Sequence, residues 1–142
     1  MENNTQRAQF RFVQYRIEEA NFRIDGSKVD QDNDMSVNLG AAVECDNEKG
    51  TSAVTLEANI SNHGESFRSF VKLTGNFESA NTKEDELLKF SAYNGIAILF
   101  PYLRAYVTTM TAQAGIQPII IPTLNLQKMG DDIVNGKKKE DN

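Results

Sequence analysis

The 142-residue chain contains one cysteine, one histidine and no long apolar run. A single cysteine excludes an internal disulfide and favours a reducing compartment. The N-terminus MENNTQRAQF has no apolar segment of the secretory-signal kind, and no stretch reaches the roughly 18 apolar residues that span a membrane. These absences predict a cytoplasmic protein without membrane insertion.

Patterns for catalysis and metal binding are also missing. His63 stands in a turn-forming Asn-His-Gly triplet without a neighbouring nucleophile and matched acid, which indicates a solvated histidine. Cys45 shares the apolar parity of its strand, which indicates a small core residue. Cysteine pairs, His-x-x-x-His, a complete calcium loop and Gly-rich phosphate loops do not occur. We predict no catalytic residue, no metal and no cofactor, and a protein that is not an enzyme.

The charge balance argues against nucleic acid as a partner. The net charge is −5, whereas a nucleic-acid backbone requires a basic stripe. The one basic run, Lys137 to Lys139, is followed at once by Glu140 and Asp141. We predict a single domain over residues 1–134 and a flexible charged tail over residues 135–142.

Three segments of the first half alternate apolar and polar residues and predict half-buried strands. Their apolar positions are Met35, Val37, Leu39, Ala41, Val43 and Cys45; Val54, Leu56, Ala58 and Ile60; and Phe67, Val71, Leu73 and Phe77. Short turn-forming stretches separate these segments, which is typical of antiparallel neighbours.

The segment before them predicts an irregular edge strand. Phe10 and Phe12 share one parity. The other is taken by Val13, Tyr15 and Ile17, and the first returns at Phe22 and Ile24. Two slips of the period predict a bulge or a sharp bend. The acidic loop that follows is too long for a tight hairpin, so strand one need not lie beside strand two.

The second half predicts helices. Thr82 is a suitable N-cap, and apolar residues recur at helical spacing as far as Ala114. Asn94-Gly95 weakens this helix, and Pro101 should kink it. A short helix is predicted from about Leu126 to Val134. The fold class is therefore α+β, with a four-stranded antiparallel sheet, a crossover loop, a long kinked helix and a short C-terminal helix.

The stretch from Asn94 to Leu126 contains more apolar surface than one subunit needs. Its helix is apolar on nearly every side, so one side should cover the core and another should meet a partner. The loop after Gly115 is apolar and is punctuated by Pro118 and Pro122. One interpretation packs this loop onto its own sheet. The other makes it the wall of a groove that binds extended peptide beside an edge strand, and the pattern leaves both open.

The same stretch resembles the SecB family of export chaperones. The residues that carry the resemblance are Asn94, Leu99-Phe100-Pro101-Tyr102, Arg104, Thr111, Gly115, Pro118, Pro122 and Asn125. Leu126 and Thr123 stand where that family usually has phenylalanine and proline. The signature covers roughly a quarter of the chain, and the layout of strands and helix covers most of it.

The resemblance implies an ATP-independent holdase for unfolded or nascent polypeptides, assembled as a dimer of dimers and serving protein export with the SecA motor. The residues expected to contact clients are Ile24, Val29, Met35, Val37, Ile116, Ile119, Ile121, Leu124, Leu126 and Met129. The residues expected at the subunit interface are Phe100, Tyr102, Arg104 and Tyr106.

The chain departs from the family at the surface that the resemblance assigns to SecA. The family uses acidic residues and a leucine there. This sequence keeps an acid at Glu19 but has Arg23, Arg68 and Phe70 at the other matching positions. Arginine in place of an acid inverts the attraction for a basic partner. A second hypothesis is therefore a SecB-like module dedicated to one partner such as an antitoxin. A third, an enzyme or small-molecule binder in the helix–sheet cleft, lacks a convergent set of polar groups.

Overall fold

The computed structural model describes residues 10–26, 35–80 and 84–141. It has the predicted α+β architecture, with strands in the first half and helices in the second. The elements are β1 (Phe10–Ile24), β2 (Ser36–Asp46), β3 (Thr51–Ser61), β4 (Phe67–Ser79), α1 (Glu84–Phe90), α2 (Ile96–Gln113) and α3 (Leu126–Asp141).

The four strands form one antiparallel sheet in the order β1-β4-β3-β2. The strands β2, β3 and β4 follow one another through short turns, and Gly50 adopts φ 69° in the first of these turns. Strand β1 pairs with β4 and not with β2, so the chain crosses from one edge of the sheet to the other. The crossover and the edge position of β1 confirm the sequence prediction.

Strand β1 contains two irregularities. Its register against β4 shifts once between Phe12 and Gln14 and again between Ile17 and Glu19. These are the two places where the apolar period slips in the sequence. Each extra residue lets the apolar side chains of β1 return to the same face of the sheet.

The core lies between one face of the sheet and the helices. Apolar residues of β3 and β4 alternate into it, as the period of two predicts, and α2 supplies the opposite side. Its largest fully buried side chains are Phe67, Phe77, Leu56, Ile60, Leu73, Leu87, Ile96, Leu99, Leu103, Ile121, Val54 and Val71. The other face of the sheet, called the outer face below, is polar.

The helix is continuous across the Asn94-Gly95 pair, which was expected to weaken it. A π-helical turn, Ser91–Gly95, joins α1 to α2, and it contains the Asn94-Gly95 pair. A Cβ on Gly95 would lie 3.0 Å from Val54 Cγ2, so glycine permits the helix to approach the sheet closely. Pro101 lies inside α2. The predicted N-cap, Thr82, lies outside the described residues. Helix α3 continues to Asp141, beyond the expected end at Val134.

Candidate functional site

An apolar trough lies between the start of β2 and the loop that joins α2 to α3. Its cavity volume is about 510 Å³, and no charged side chain among the described residues lines it. The lining residues are Met35, Val37, Gln117, Pro118, Ile119, Ile120, Pro122 and Leu124. This surface, called the β2 trough below, fits apolar side chains and has no described group that would demand a charged ligand.

The loop is fastened to α2 by two threonines. The Thr111 hydroxyl accepts the Ile119 N–H at 2.9 Å, and the Thr108 hydroxyl donates to the Ile119 carbonyl at 2.8 Å. Both backbone groups of Ile119 are thereby held, and this decides which side chains of the isoleucine run face inward. Ile121 is fully buried, whereas Ile120 is 63% exposed.

Both ends of the loop are fixed by local chemistry. Gly115 adopts φ 88°, a conformation that favours glycine, and this residue turns the chain away from the end of α2. At the other end the Asn125 side-chain oxygen accepts the Lys128 N–H at 3.0 Å, which caps the first turn of α3. The trough wall therefore begins at Gly115 and ends at Asn125, and Pro118 and Pro122 lie along it.

The trough adjoins a free sheet edge. In the described part of the chain β2 pairs with β3 alone, and it is the last strand of the sheet. Alternate N–H and C=O groups of an edge strand point away from its neighbour and are available to a further strand. An extended segment laid along β2 would place every second side chain towards the trough.

The structure brings together only part of the predicted client-binding set. Met35, Val37, Ile119 and Leu124 line the β2 trough. Ile24, Ile116, Leu126 and Met129 are half-buried against the core outside it. Ile121 lies inside the core, and Val29 lies outside the described residues.

Sequence reasoning omitted Ile120, Pro118 and Pro122 from the set of contact residues. The predicted set contains Ile119 and Ile121, which face the core, and omits Ile120, which faces solvent. The period of an apolar run alone does not decide which of its two sides faces the core. The threonine hydrogen bonds to Ile119 decide it, and those two threonines are the only signal for this parity that we find in the sequence.

A second cavity opens at the start of α3. It has a volume of about 440 Å³ and is lined by Tyr93, Ala97, Leu126 and Gln127. The Tyr93 hydroxyl donates to Asp131 at 2.5 Å, and this hydrogen bond raises the pKa of the tyrosine. Leu126 therefore belongs to this cavity and not to the β2 trough.

Aromatic side chains gather where the inner face of β1 meets α2. The ring of Tyr15 stacks on Tyr102 at 4.4 Å, and Phe12 lies 5.8 Å from Tyr102. Tyr15 and Tyr102 are each 40% exposed. Phe12, Tyr15 and Tyr102 are called the aromatic patch below.

The four residues predicted at the subunit interface separate into two groups. Phe100 is buried in the core of its own chain, which corrects the expectation that it offers surface to a partner. Tyr102 and Arg104 are exposed, and Tyr106 is half-buried. Phe100 lies on the buried side of α2, Tyr102 lies at the border with β1, where it stacks on Tyr15, and Arg104 is exposed.

The residues predicted at the motor-docking surface do lie together on the outer face. Arg23 is directly opposite Arg68, and Glu19 is opposite Lys72, with Phe70 on the row between these pairs. Nearby, a hydrogen bond from the Thr74 hydroxyl holds the pKa of the Glu18 carboxyl below its ordinary value of 4.5.

The remaining candidates occupy unremarkable places. His63 is exposed in the turn between β3 and β4, and Cys45 is half-buried on β2. Over residues 10–26, 35–80 and 84–141 no group of acids, histidines and cysteines is placed to hold a metal ion. No helix in the described part of the chain combines the length and the apolar character needed to cross a membrane.

Comparison with known proteins gives one family and one partial relative. A family model described as SecB, preprotein translocase subunit SecB, matches residues 19–133. An uncharacterised protein of Methanocaldococcus jannaschii, MJ0357, is 39% identical over 69 residues, which are 49% of this chain and 44% of that protein. The match therefore spans less than half of the relative's length.

A solved structure shares the fold. The Mycobacterium tuberculosis Rv1957 SecB-like chaperone, in complex with a ChAD peptide from the Rv1956 HigA1 antitoxin, superposes with a TM-score of 0.68 at 19% identity. The match covers 82% of this chain and 91% of that one. A protein of unknown function from Streptococcus agalactiae gives a TM-score of 0.46 at 10% identity, over 80% of this chain and 97% of that one.

Proposed function

This chain belongs to the SecB family, and from that premise we propose that it is an ATP-independent holdase that binds unfolded polypeptides in the β2 trough. The observation that carries the proposal is a trough lined mainly by apolar side chains, with no charge among its described residues, beside a strand edge that no described strand covers. Backbone hydrogen bonds to the edge would hold any extended segment, and the trough would select for apolar side chains. Such a site recognises unfolded chains without requiring one sequence.

The mechanism is mass action. A protein that binds the unfolded state of a client and not its folded state shifts the client away from folding and aggregation without consuming a nucleotide. Each trough is short, so one contact would be weak. Copies of the chain in one assembly would raise the effective concentration of the remaining troughs for a client that one trough already holds.

Self-association is part of the proposal. The aromatic patch and the outward residues Arg104 and Tyr106 of α2 offer a second copy a surface that one subunit leaves partly uncovered. Large exposed aromatic residues are typical of interface centres. We propose a homotetramer, built as a dimer of dimers, that acts in the cytoplasm.

The test is suppression of aggregation. A chemically denatured model protein is diluted into buffer without ATP, and its light scattering is followed at increasing amounts of the chain. We expect suppression by the natural protein. The variant Ile120→Asp should require roughly tenfold more protein, because a client side chain would desolvate the new carboxylate.

The matched control is Thr123→Asp. Thr123 lies in the same loop and is exposed, but it does not line the trough, so the same charge change should leave suppression intact. Absence of any effect of the natural protein at a tetramer-equivalent excess refutes the holdase. Equal loss in both variants refutes the trough as its site.

One observation favours a second candidate function. The solved chaperone with the same fold holds a peptide from an antitoxin, so this chain would serve a single dedicated partner if the likeness extends to function. Capture from a lysate separates the two candidates, since a general holdase retains many polypeptides and a dedicated module retains one dominant protein. A role in export with SecA would bring a basic partner to the outer face. Two of the matching positions there, Arg23 and Arg68, would repel it.

A further inference from the structure

The outer face of the sheet has an ordered arrangement of charge at one end. Three successive rows across β1 and β4 place Arg23 opposite Arg68, Asn21 opposite Phe70, and Glu19 opposite Lys72. The first of these rows pairs two cations, Arg23 and Arg68, and the third pairs an anion, Glu19, with a cation, Lys72. The arginine row continues through Ser61 of β3 to Ser36 of β2, so no charge on the neighbouring strands balances it.

Within the described residues the two arginines are incompletely neutralised. Like charges directly opposite on antiparallel strands repel one another, and this disfavours the pairing. Arg23 Nε donates to Asp25 Oδ1 at 3.1 Å, but both side chains remain more than half exposed. Arg68 is exposed and forms no ion pair with any described residue. The row therefore has the capacity to bind a further anion.

Phe70 supplies an apolar contact beside the cations. It is half-buried on a face that is mostly polar, and it lies one row from the arginines. Rows on an antiparallel sheet face are about 7 Å apart, and alternate side chains of an extended peptide have the same spacing. Neighbouring side chains on one side of such a peptide can therefore contact neighbouring rows. Arginine and aromatic residues together are enriched where protein partners bind.

We propose that this arginine face, made of Arg23, Arg68, Asn21 and Phe70, docks an acidic peptide segment of a partner protein. Carboxylates of the segment bind the two guanidiniums, whose planar donors match carboxylate geometry, and an adjacent apolar side chain packs on Phe70. The face lies on the side of the sheet away from α2, so docking is independent of client binding in the β2 trough.

Charge selects this occupant over other anions and over a basic partner. The chain carries a net charge of −5, and Glu19 and Asp25 flank the arginines, so a long polyanion such as nucleic acid meets repulsion at once. A basic segment would bring its cations against Arg23 and Arg68. A short acidic segment matches the extent of the positive charge.

The test uses two fluorescein-labelled peptides that differ only in charge. One has glutamates flanking a phenylalanine, and the other has lysines in the same positions; binding to the full chain is measured by fluorescence anisotropy. We expect the glutamate peptide to bind more tightly, and its affinity to fall as salt is raised. The double substitution Arg23→Glu and Arg68→Glu should weaken its binding about tenfold or more.

Two controls locate the binding. Arg11→Glu with Arg16→Glu makes the same charge change elsewhere on the outer face, on β1 alone and away from the arginine row, and it should leave the affinity within about twofold. Ile120→Asp in the trough should also leave it unchanged. Amide shifts on adding the peptide to the natural protein, followed by NMR, should concentrate at Arg23, Arg68 and Phe70, and this measurement needs no substitution.

Four outcomes overturn the proposal. They are equal affinity of both peptides, unchanged affinity in the Arg23→Glu and Arg68→Glu variant, loss of affinity in the Ile120→Asp variant, and displacement of the peptide by an oligothymidylate that binds the same arginines more tightly. Loss of affinity in the Ile120→Asp variant would mean that the peptide binds in the β2 trough. Displacement by oligothymidylate would mean that the arginine face binds nucleic acid. None of the four depends on whether the protein suppresses aggregation.

Discussion

At the scale of a single residue, Gly75 sets how closely α2 approaches the sheet. It lies in the interior of β4, opposite Tyr15, and is buried. A Cβ built on it would lie 2.7 Å from Leu99 Cδ1 and closer still to Leu99 Cδ2. Leu99 is fully buried, so its side chain would have to repack within the core. The glycine is therefore required by packing and not by backbone conformation.

We expect Gly75→Ala to destabilise the protein. Overpacking of a filled core costs about 1–3 kcal/mol, which exceeds the roughly 0.5–1 kcal/mol that alanine gains over glycine in a strand. Urea unfolding measures the difference. Gly40→Ala is the matched control, because Gly40 also lies inside a strand but a Cβ there meets nothing within 4 Å. A destabilisation equal to that of Gly40→Ala would contradict this account of Gly75.

Sequence reasoning identifies single residues well where a period constrains them. The apolar parity of β3 and β4 predicts Leu56 and Leu73 in the core, and both are fully buried. The helical period likewise places Phe100 on the core face, where the structure has it, whereas the family resemblance suggested an interface. The apolar period predicts which face of an element a residue lies on. It does not predict how much of that face is buried within one subunit.

At the scale of an element, the trough wall depends on hydrogen bonds between the loop and α2. Thr111 is almost fully buried; its hydroxyl accepts the Ile119 N–H and donates to the Val107 carbonyl at 2.8 Å. Since these bonds join residues that the sequence pattern treats separately, the orientation of Ile119, Ile120 and Ile121 was not predictable from apolar content. The two register shifts of β1, in contrast, were predictable because they leave a trace in the local period.

We expect Thr111→Val to loosen the trough wall. Valine preserves the branched shape but leaves the buried Ile119 N–H without an acceptor, which costs about 1–3 kcal/mol. Urea unfolding should register the loss, and amide hydrogen exchange should accelerate at Ile119. Thr109→Val, on the exposed side of the same helix, should change neither quantity. Unchanged exchange at Ile119 in Thr111→Val would show that packing alone holds the loop.

At the scale of the whole molecule, uncovered apolar surface lies along both edges of the sheet. The β2 edge has the trough, with Ile120 the most exposed of its large apolar residues. The β1 edge has the aromatic patch and, further along the strand, Phe22, which is 43% exposed although it lies opposite the buried Ser69. Fold class and the crossover followed from the sequence, whereas the pairing of β1 with β4 did not. The division of this surface between two edges did not, because it arises only when β1 and β2 occupy opposite ends of the sheet.

The two edges lead to different expectations for the assembly. Apolar surface that binds changing clients must remain accessible, whereas apolar surface that binds a second copy is covered permanently. The aromatic patch lies against α2, where Tyr102 already stacks on Tyr15, so it is preorganised for a constant partner. The trough is walled by a loop and bordered by free backbone groups, which suits variable occupants. We therefore assign self-association to the β1 edge.

Light scattering tests that assignment. We expect the natural protein to have a mass of about 64 kDa, four times the 15.9 kDa chain. Tyr102→Glu should shift the mass to a smaller species, because an interface would bury the new charge, and its melting temperature should fall and lose its dependence on concentration. Asn59→Glu, on the exposed outer face, should keep the natural mass. A natural protein of 15.9 kDa at every concentration would leave the exposed aromatic residues of the β1 edge without a second copy to cover them.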